Sequence, residues 1–191
     1  MKSLSKILLV ASLMAVVSSP TLAHADGYIS PFLGVNFGSS SGNGRMNVGA
    51  DVGWMSAGIL GLEGDFGYAP SFFGNAGTFG SNAVMDVMGN VVLAAPIGAK
   101  RGVSVRPYIT AGVGVLRSTI DGTAGGSSIS NSEAGLNAGA GATGFLSSHL
   151  GLRGDVRYFR NLTDNSSANN ANVDFGAFHF WRASFGIVIR P

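Results

Sequence analysis

Glu63 and Asp65 stand two residues apart, and Arg153, Asp155 and Arg157 repeat that spacing later in the chain. A spacing of two places side chains on one face of a β-strand. Paired carboxylates so placed are candidates for general acid–base work, whereas arginines on the same face turn them into structural ion pairs. His179 and Ser184 are the other chemical candidates, as base and nucleophile, and that pair must lie within hydrogen-bond reach. In a strand they fall in opposite phases, so they do not meet. Gly139-Ala-Gly-Ala-Thr-Gly144 matches a dinucleotide fingerprint, but the fingerprint needs a strand before it, a helix after it and an acid about 20 residues on; here it interrupts an alternating segment. With three His and no Cys there is no ligand cluster for a metal, and no cofactor is expected.

These residues are positioned by a period-two pattern that runs through the chain. In Leu150-Gly-Leu-Arg-Gly-Asp-Val-Arg-Tyr-Phe159, Leu150, Leu152, Val156 and Tyr158 share one phase and Arg153, Asp155 and Arg157 the other. Eight segments alternate in this way, at about 28–38, 47–55, 59–69, 84–95, 104–117, 135–145, 150–161 and 178–190, near the ~9–11 residues a tilted membrane strand requires. Short connections at 55–58, 96–102 and 146–149 alternate with longer ones at 39–46, 70–82, 118–133 and 163–176, rich in Gly, Ser, Asn and Thr. An all-β fold is expected: an eight-stranded, antiparallel, up-and-down transmembrane β-barrel, greasy outside and polar inside. The longer segments 70–82, 118–133 and 163–176 are read as mobile loops that carry function.

The phases sort the charges. Asp51, Glu63, Asp65, Asp86, Arg106, Arg153, Asp155, Arg157, Arg182 and Arg190 face the lumen, five acids against five arginines. An eight-stranded barrel is just wide enough for side chains to fill, so a balanced set is expected to plug it as one ion-pair network, with inward glycines making room. Arg117 and Arg160 fall in the outward phase at the strand ends, where long side chains reach lipid headgroups. Phe37, Tyr68, Tyr158 and Trp181 gather near one membrane interface and Trp54 near the other, as an aromatic girdle.

The N-terminus reads as an export signal. Lys2 and Lys6 precede the apolar run 7–17, and Ala23-His24-Ala25 offers a small-x-small cleavage site, so residues 1–25 are expected to be a signal peptide and 26–191 one barrel domain. The run is too short to cross ~30 Å of hydrocarbon. Losing Lys2 and Lys6 leaves ten basic residues against ten acidic ones. No basic stripe remains for a phosphate backbone, and nucleic acid is excluded as a partner.

Arg106-Pro-Tyr-Ile-Thr-Ala-Gly-Val-Gly114, Gly135-Leu-Asn-Ala-Gly-Ala-Gly141 and the hairpin strand Leu150 to Phe159 resemble the small outer-membrane β-barrel proteins of the opacity and OmpA-like type. The resemblance spans the mature chain. It implies residence in a bacterial outer membrane with both termini periplasmic, contact with outer-membrane lipid including lipopolysaccharide, and insertion by the barrel-assembly machinery. It also implies a structural or adhesion-like role through external loops, with an unidentified surface receptor or host partner. A narrow porin-like channel is the alternative, and a lipid-modifying enzyme of that membrane the third reading. Members end on an aromatic residue, whereas this chain ends Ile187-Val-Ile-Arg-Pro191.

Overall fold

The computed structural model describes residues 25–38, 42–73, 82–98, 104–120, 129–162 and 178–191, and the expected signal segment up to residue 24 lies outside them. The strands are β1 (Ala25–Gly38), β2 (Gly42–Ser56), β3 (Leu60–Pro70), β4 (Asn82–Ala94), the two-residue β5 (Ile97–Gly98), β6 (Ser104–Ile120), β7 (Ile129–Phe145), β8 (Leu150–Asn161) and β9 (His179–Ile189). All pairings are antiparallel. Each long strand pairs with its sequence neighbours, β4 pairs directly with β6, and β9 returns to β1, so eight strands close a ring. The short β5 pairs only with the start of β6. Closure removes every free edge, the requirement for strands in hydrocarbon.

Burial follows the pleat. β3 alternates exposed and buried along its length, as does β4 from Val84 onward apart from its half-buried outer end. Leu33, Val113 and Phe185 are each 61 % exposed on the outer wall, while Phe32, Tyr108, Phe159 and Phe180 are buried within. A wall this apolar around a polar interior inverts a soluble protein and suits lipid.

The ring has two unlike ends. At one lie the tight turns, the start of β1 and the end of β9. Ser56-Ala57-Gly58-Ile59 closes with Ile59 N donating to Ser56 O at 3.0 Å, and positive φ at Ala57 (50°) and Gly58 (69°) gives the mirror-image turn that matches strand twist. Ser147 Oγ shapes the β7–β8 turn by accepting from Leu150 N at 3.1 Å. The opposite end differs from the sequence expectation. β6 runs on to Ile120, β7 begins at Ile129 and β2 at Gly42, so parts of the supposed loops are paired strand. Residues 71–73 form an ordered turn with Phe72 fully buried. The rest of those loops, 39–41, 74–81, 121–128 and 163–176, lies outside the described residues.

Candidate functional site

Inward side chains stack in levels along the lumen. Midway, Arg157 donates through Nη1 to Asp65 Oδ2 at 2.5 Å and through Nη2 to Glu63 Oε1 at 2.9 Å and Asp155 Oδ2 at 3.0 Å, with Asp51 Oδ1 at 3.5 Å. Arg153 Nη1 meets Glu63 Oε2 at 2.5 Å and Asp51 Oδ2 at 3.5 Å. Arg182 joins Asp65 to Asp86, donating to both carboxylates, to Asp86 Oδ2 at 2.9 Å. The eight groups form one connected lattice. All are nearly inaccessible to solvent, so each charge depends on its partners.

Neutral groups complete it. Tyr28 Oη donates to Glu63 Oε2 at 2.5 Å. Tyr108 Oη donates to Asp155 Oδ2 at 2.6 Å and accepts from Arg153 Nε at 2.6 Å, and Ser184 Oγ donates to Asp155 Oδ1 at 2.7 Å. The space for these groups comes from glycine: a Cβ on Gly67 would lie 2.6 Å from Arg182 Nη1 and 2.8 Å from Asp86 Oδ2. Because Tyr108 holds both an anion and a cation, Tyr108→Phe should cost about 1.5–3 kcal/mol, the range for hydrogen bonds to charged groups, read as a lower urea midpoint of the folded barrel. An unchanged midpoint would remove Tyr108 from the lattice.

The ten lumen charges expected as one set occupy two levels. Arg106 and Arg190 stand at the tight-turn end over the Phe145 ring, 5.1 and 3.4 Å from its centroid. The other eight make the lattice. Asp51, Glu63 and Asp65 are the one group of acids, among the described residues, close enough to share a cation; the positive charge that touches all three is Arg157.

Towards the long-loop end an aromatic cluster fills part of the lumen. Arg182 lies over Phe32 and Phe159, 4.8 and 4.6 Å from their centroids. Phe159 stacks on Phe180 at 4.8 Å, and Phe180 meets Phe72 at 5.2 Å and Phe178 at 5.6 Å. Val84, Met88 and Leu116 pack against them. Phe159 shares the inward phase of Arg157, and Phe180 that of Arg182, whereas sequence reasoning missed Phe72 and Phe178. It also missed Tyr28, whose phase with Phe32 was the available signal.

On the outer wall Phe37 opposes Trp181, which opposes Tyr158 across the next strand, and the Tyr158 and Trp181 rings lie 5.1 Å apart. Tyr68 faces outward on β3, and Trp54 faces outward beside Gly27 near the tight-turn end. Arg117 and Arg160 are exposed near the long-loop end. His179 opposes Arg160, with its ring 5.9 Å from that of Tyr158, while Ser184 points to Asp155.

A closed antiparallel ring with an apolar wall and an ion-paired interior defines a bacterial outer-membrane β-barrel. The chain belongs to the outer membrane protein beta-barrel domain family, whose model matches residues 9–180. Among solved structures it is similar to Neisserial surface protein A, at 15% identity and TM-score 0.66, covering 86% of this chain and 97% of that one. It is also similar to the N-terminal barrel of OprF from Pseudomonas aeruginosa, at 15% identity and TM-score 0.57, covering 87% and 97%. A third is the attachment invasion locus protein Ail of Yersinia pestis, in complex with the heparin analogue sucrose octasulfate, at 15% identity and TM-score 0.53, covering 87% and 99%. No curated protein matches the chain by sequence. At these identities the likenesses show the fold.

Proposed function

We propose that the protein is a sealed scaffold in the outer membrane, acting as a structural or surface-interaction protein through its external loops rather than as an enzyme. One observation carries this reading: the lumen is crossed twice, by the ion lattice around Arg157 and by the aromatic layer of Phe72, Phe159, Phe178 and Phe180. With the lumen closed at these two levels, the surfaces left for partners on the long-loop side are the wall and the loops. The Gly, Ser and Asn content of 121–128 and 165–173 suits contact loops, and the Ail complex with a sulfated heparin analogue supports a surface-ligand role. The tight-turn end and both termini face the periplasm in this reading. Arg117 and Arg160 meet lipopolysaccharide headgroups, the row Phe37, Trp181 and Tyr158 with Tyr68 forms the outer girdle, and Trp54 anchors the inner interface. Insertion is left to the barrel-assembly machinery.

A narrow channel is the second reading, and a specific feature favours it. Both side-chain polar atoms of Asn36, Asn47, Asn90 and Asn137 are buried without a protein partner among the described residues, and such amides are normally met by water. Planar-bilayer recording separates the two. The scaffold predicts no steady conductance from intact protein. Deleting 121–128 and 165–173 together should leave gel heat-modifiability intact and abolish surface binding. Reproducible channels that persist after the deletions overturn it in favour of the pore.

A further inference from the structure

Beneath Phe145, at the tight-turn end, the barrel holds a cavity of ≈ 30 Å³, measured as space for the centres of water-sized groups. That exceeds the roughly 10–15 Å³ needed to hold a single water, so there is room for a small polar group. Its lining includes Arg106, Arg153 and Arg190 with Tyr108, Thr143 and Phe145, and no acidic side chain among the described residues. Three cations therefore converge on one small space, from β6, β8 and the end of β9.

Arg153 adds the second observation. Its side chain is 5 % exposed, and the lattice takes up Nε and Nη1, through Tyr108 and Asp155 on one side and Glu63 and Asp51 on the other. Nη2 is buried with no partner among the described residues. A buried guanidinium nitrogen costs free energy until an acceptor meets it. Glu63, Asp51 and Asp155 are committed to Nη1, Nε and Arg157, so an acceptor for Nη2 has to come from outside the lattice.

We propose that this cavity is a binding site for a small oxyanion, a carboxylate or phosphate group, entering from the tight-turn end. Arg153 forms the floor, and Arg106 and Arg190, ordered by their contact with Phe145, form the mouth. Guanidinium groups suit the task because their N–H forks match the spacing of two oxyanion oxygens. The barrel then has work at both ends: loops at one, an anion site at the other. Under the orientation proposed above, the anion site opens to the periplasm.

The test uses full-length protein refolded in zwitterionic detergent, where both ends meet solvent, so that a wrong orientation does not obscure a failed site. Acetate and inorganic phosphate are titrated separately, at constant ionic strength set with chloride, while the arginine Nε–Hε NMR signals are followed. Saturable shifts with either probe are expected, and which probe binds tells carboxylate from phosphate. Arg106→Gln and Arg190→Gln should each weaken binding about tenfold, the worth of one charge-assisted hydrogen bond, and Arg117→Gln on the outer wall should not. Ala94→Leu, which fills the cavity without removing charge, should abolish binding while heat-modifiable gel mobility reports an intact barrel. Absence of saturable binding in the wild type, or equal binding by Ala94→Leu and wild type, overturns the site and assigns Arg153 Nη2 to ordinary hydration.

Discussion

Replacing Arg157 by leucine is expected to lower the free energy of unfolding by about 3–5 kcal/mol, the cost of breaking a buried ion pair from one side. Four carboxylates, on Asp51, Glu63, Asp65 and Asp155, lie within 3.5 Å of its guanidinium, and leucine leaves all four without their shared cation. Arg153 and Arg182 then face an excess of negative charge in a space that solvent screens poorly. Arg160→Leu removes an arginine three residues further along the same strand, where the side chain is exposed, and should change stability by no more than about 0.5 kcal/mol. Urea titration in lipid vesicles, followed by tryptophan fluorescence, measures both. Adding Asp65→Asn to Arg157→Leu should restore part of the loss, because one stranded charge goes with it. Equal midpoints for Arg157→Leu and Arg160→Leu would invert the assigned faces of β8.

That contrast was legible in the sequence because a strand has a period of two, and Arg157 and Arg160 differ in phase. Phase gives the face and nothing else. Which acid meets which arginine depends on strand tilt and on who stands across the ring, and neither is written in local alternation. Asp65 on β3 meets Arg157 on β8 and Arg182 on β9, partners about half a barrel away. Height along the axis was equally hidden. Arg106 and Arg190 share the inward phase of the lattice residues but sit at the tight-turn end, over Phe145.

Composition misled where phase did not. Segments rich in Gly, Ser and Asn beside β2, β6 and β7 read as loops, yet hairpin pairing continues through them, because backbone hydrogen bonds form whatever the side chain. Two inward-phase charges were lost in this way. Arg45 lies in phase with Asn47 and Asp51 on β2. Glu133 lies in phase with Asn137 on β7 and accepts from Asn131 Nδ2 at 2.7 Å and Asn161 Nδ2 at 2.8 Å. Extending the alternation count by two residues before each of these strands would have recovered both.

Phe72→Ala should destabilise the barrel by about 3–5 kcal/mol, the cost of emptying a buried phenylalanine site. On composition the segment around it reads as a polar loop, and truncation there would change almost nothing. In the structure the chain turns sharply after β3, with Ser71 at φ 53°, and two bonds to one residue fix the turn: Ser71 N donates to Asn82 O at 2.7 Å and Phe73 N to Asn82 Oδ1 at 2.8 Å. Phe72 is thereby held against Phe178 and Phe180, wholly out of solvent. Phe37→Ala, which removes a ring from the lipid-facing wall, should cost less, since lipid can close around the smaller side chain and no cavity remains. Vesicle unfolding of the two variants side by side decides the matter: equal losses would mean that Phe72 does not pack inside the barrel, and would take the outer seal away from the scaffold reading with it. A larger loss for Phe72, without the steady conductance of a pore, would show that the ion lattice alone suffices to close the lumen and that the aromatic layer serves chiefly to hold the outer ends of the strands together.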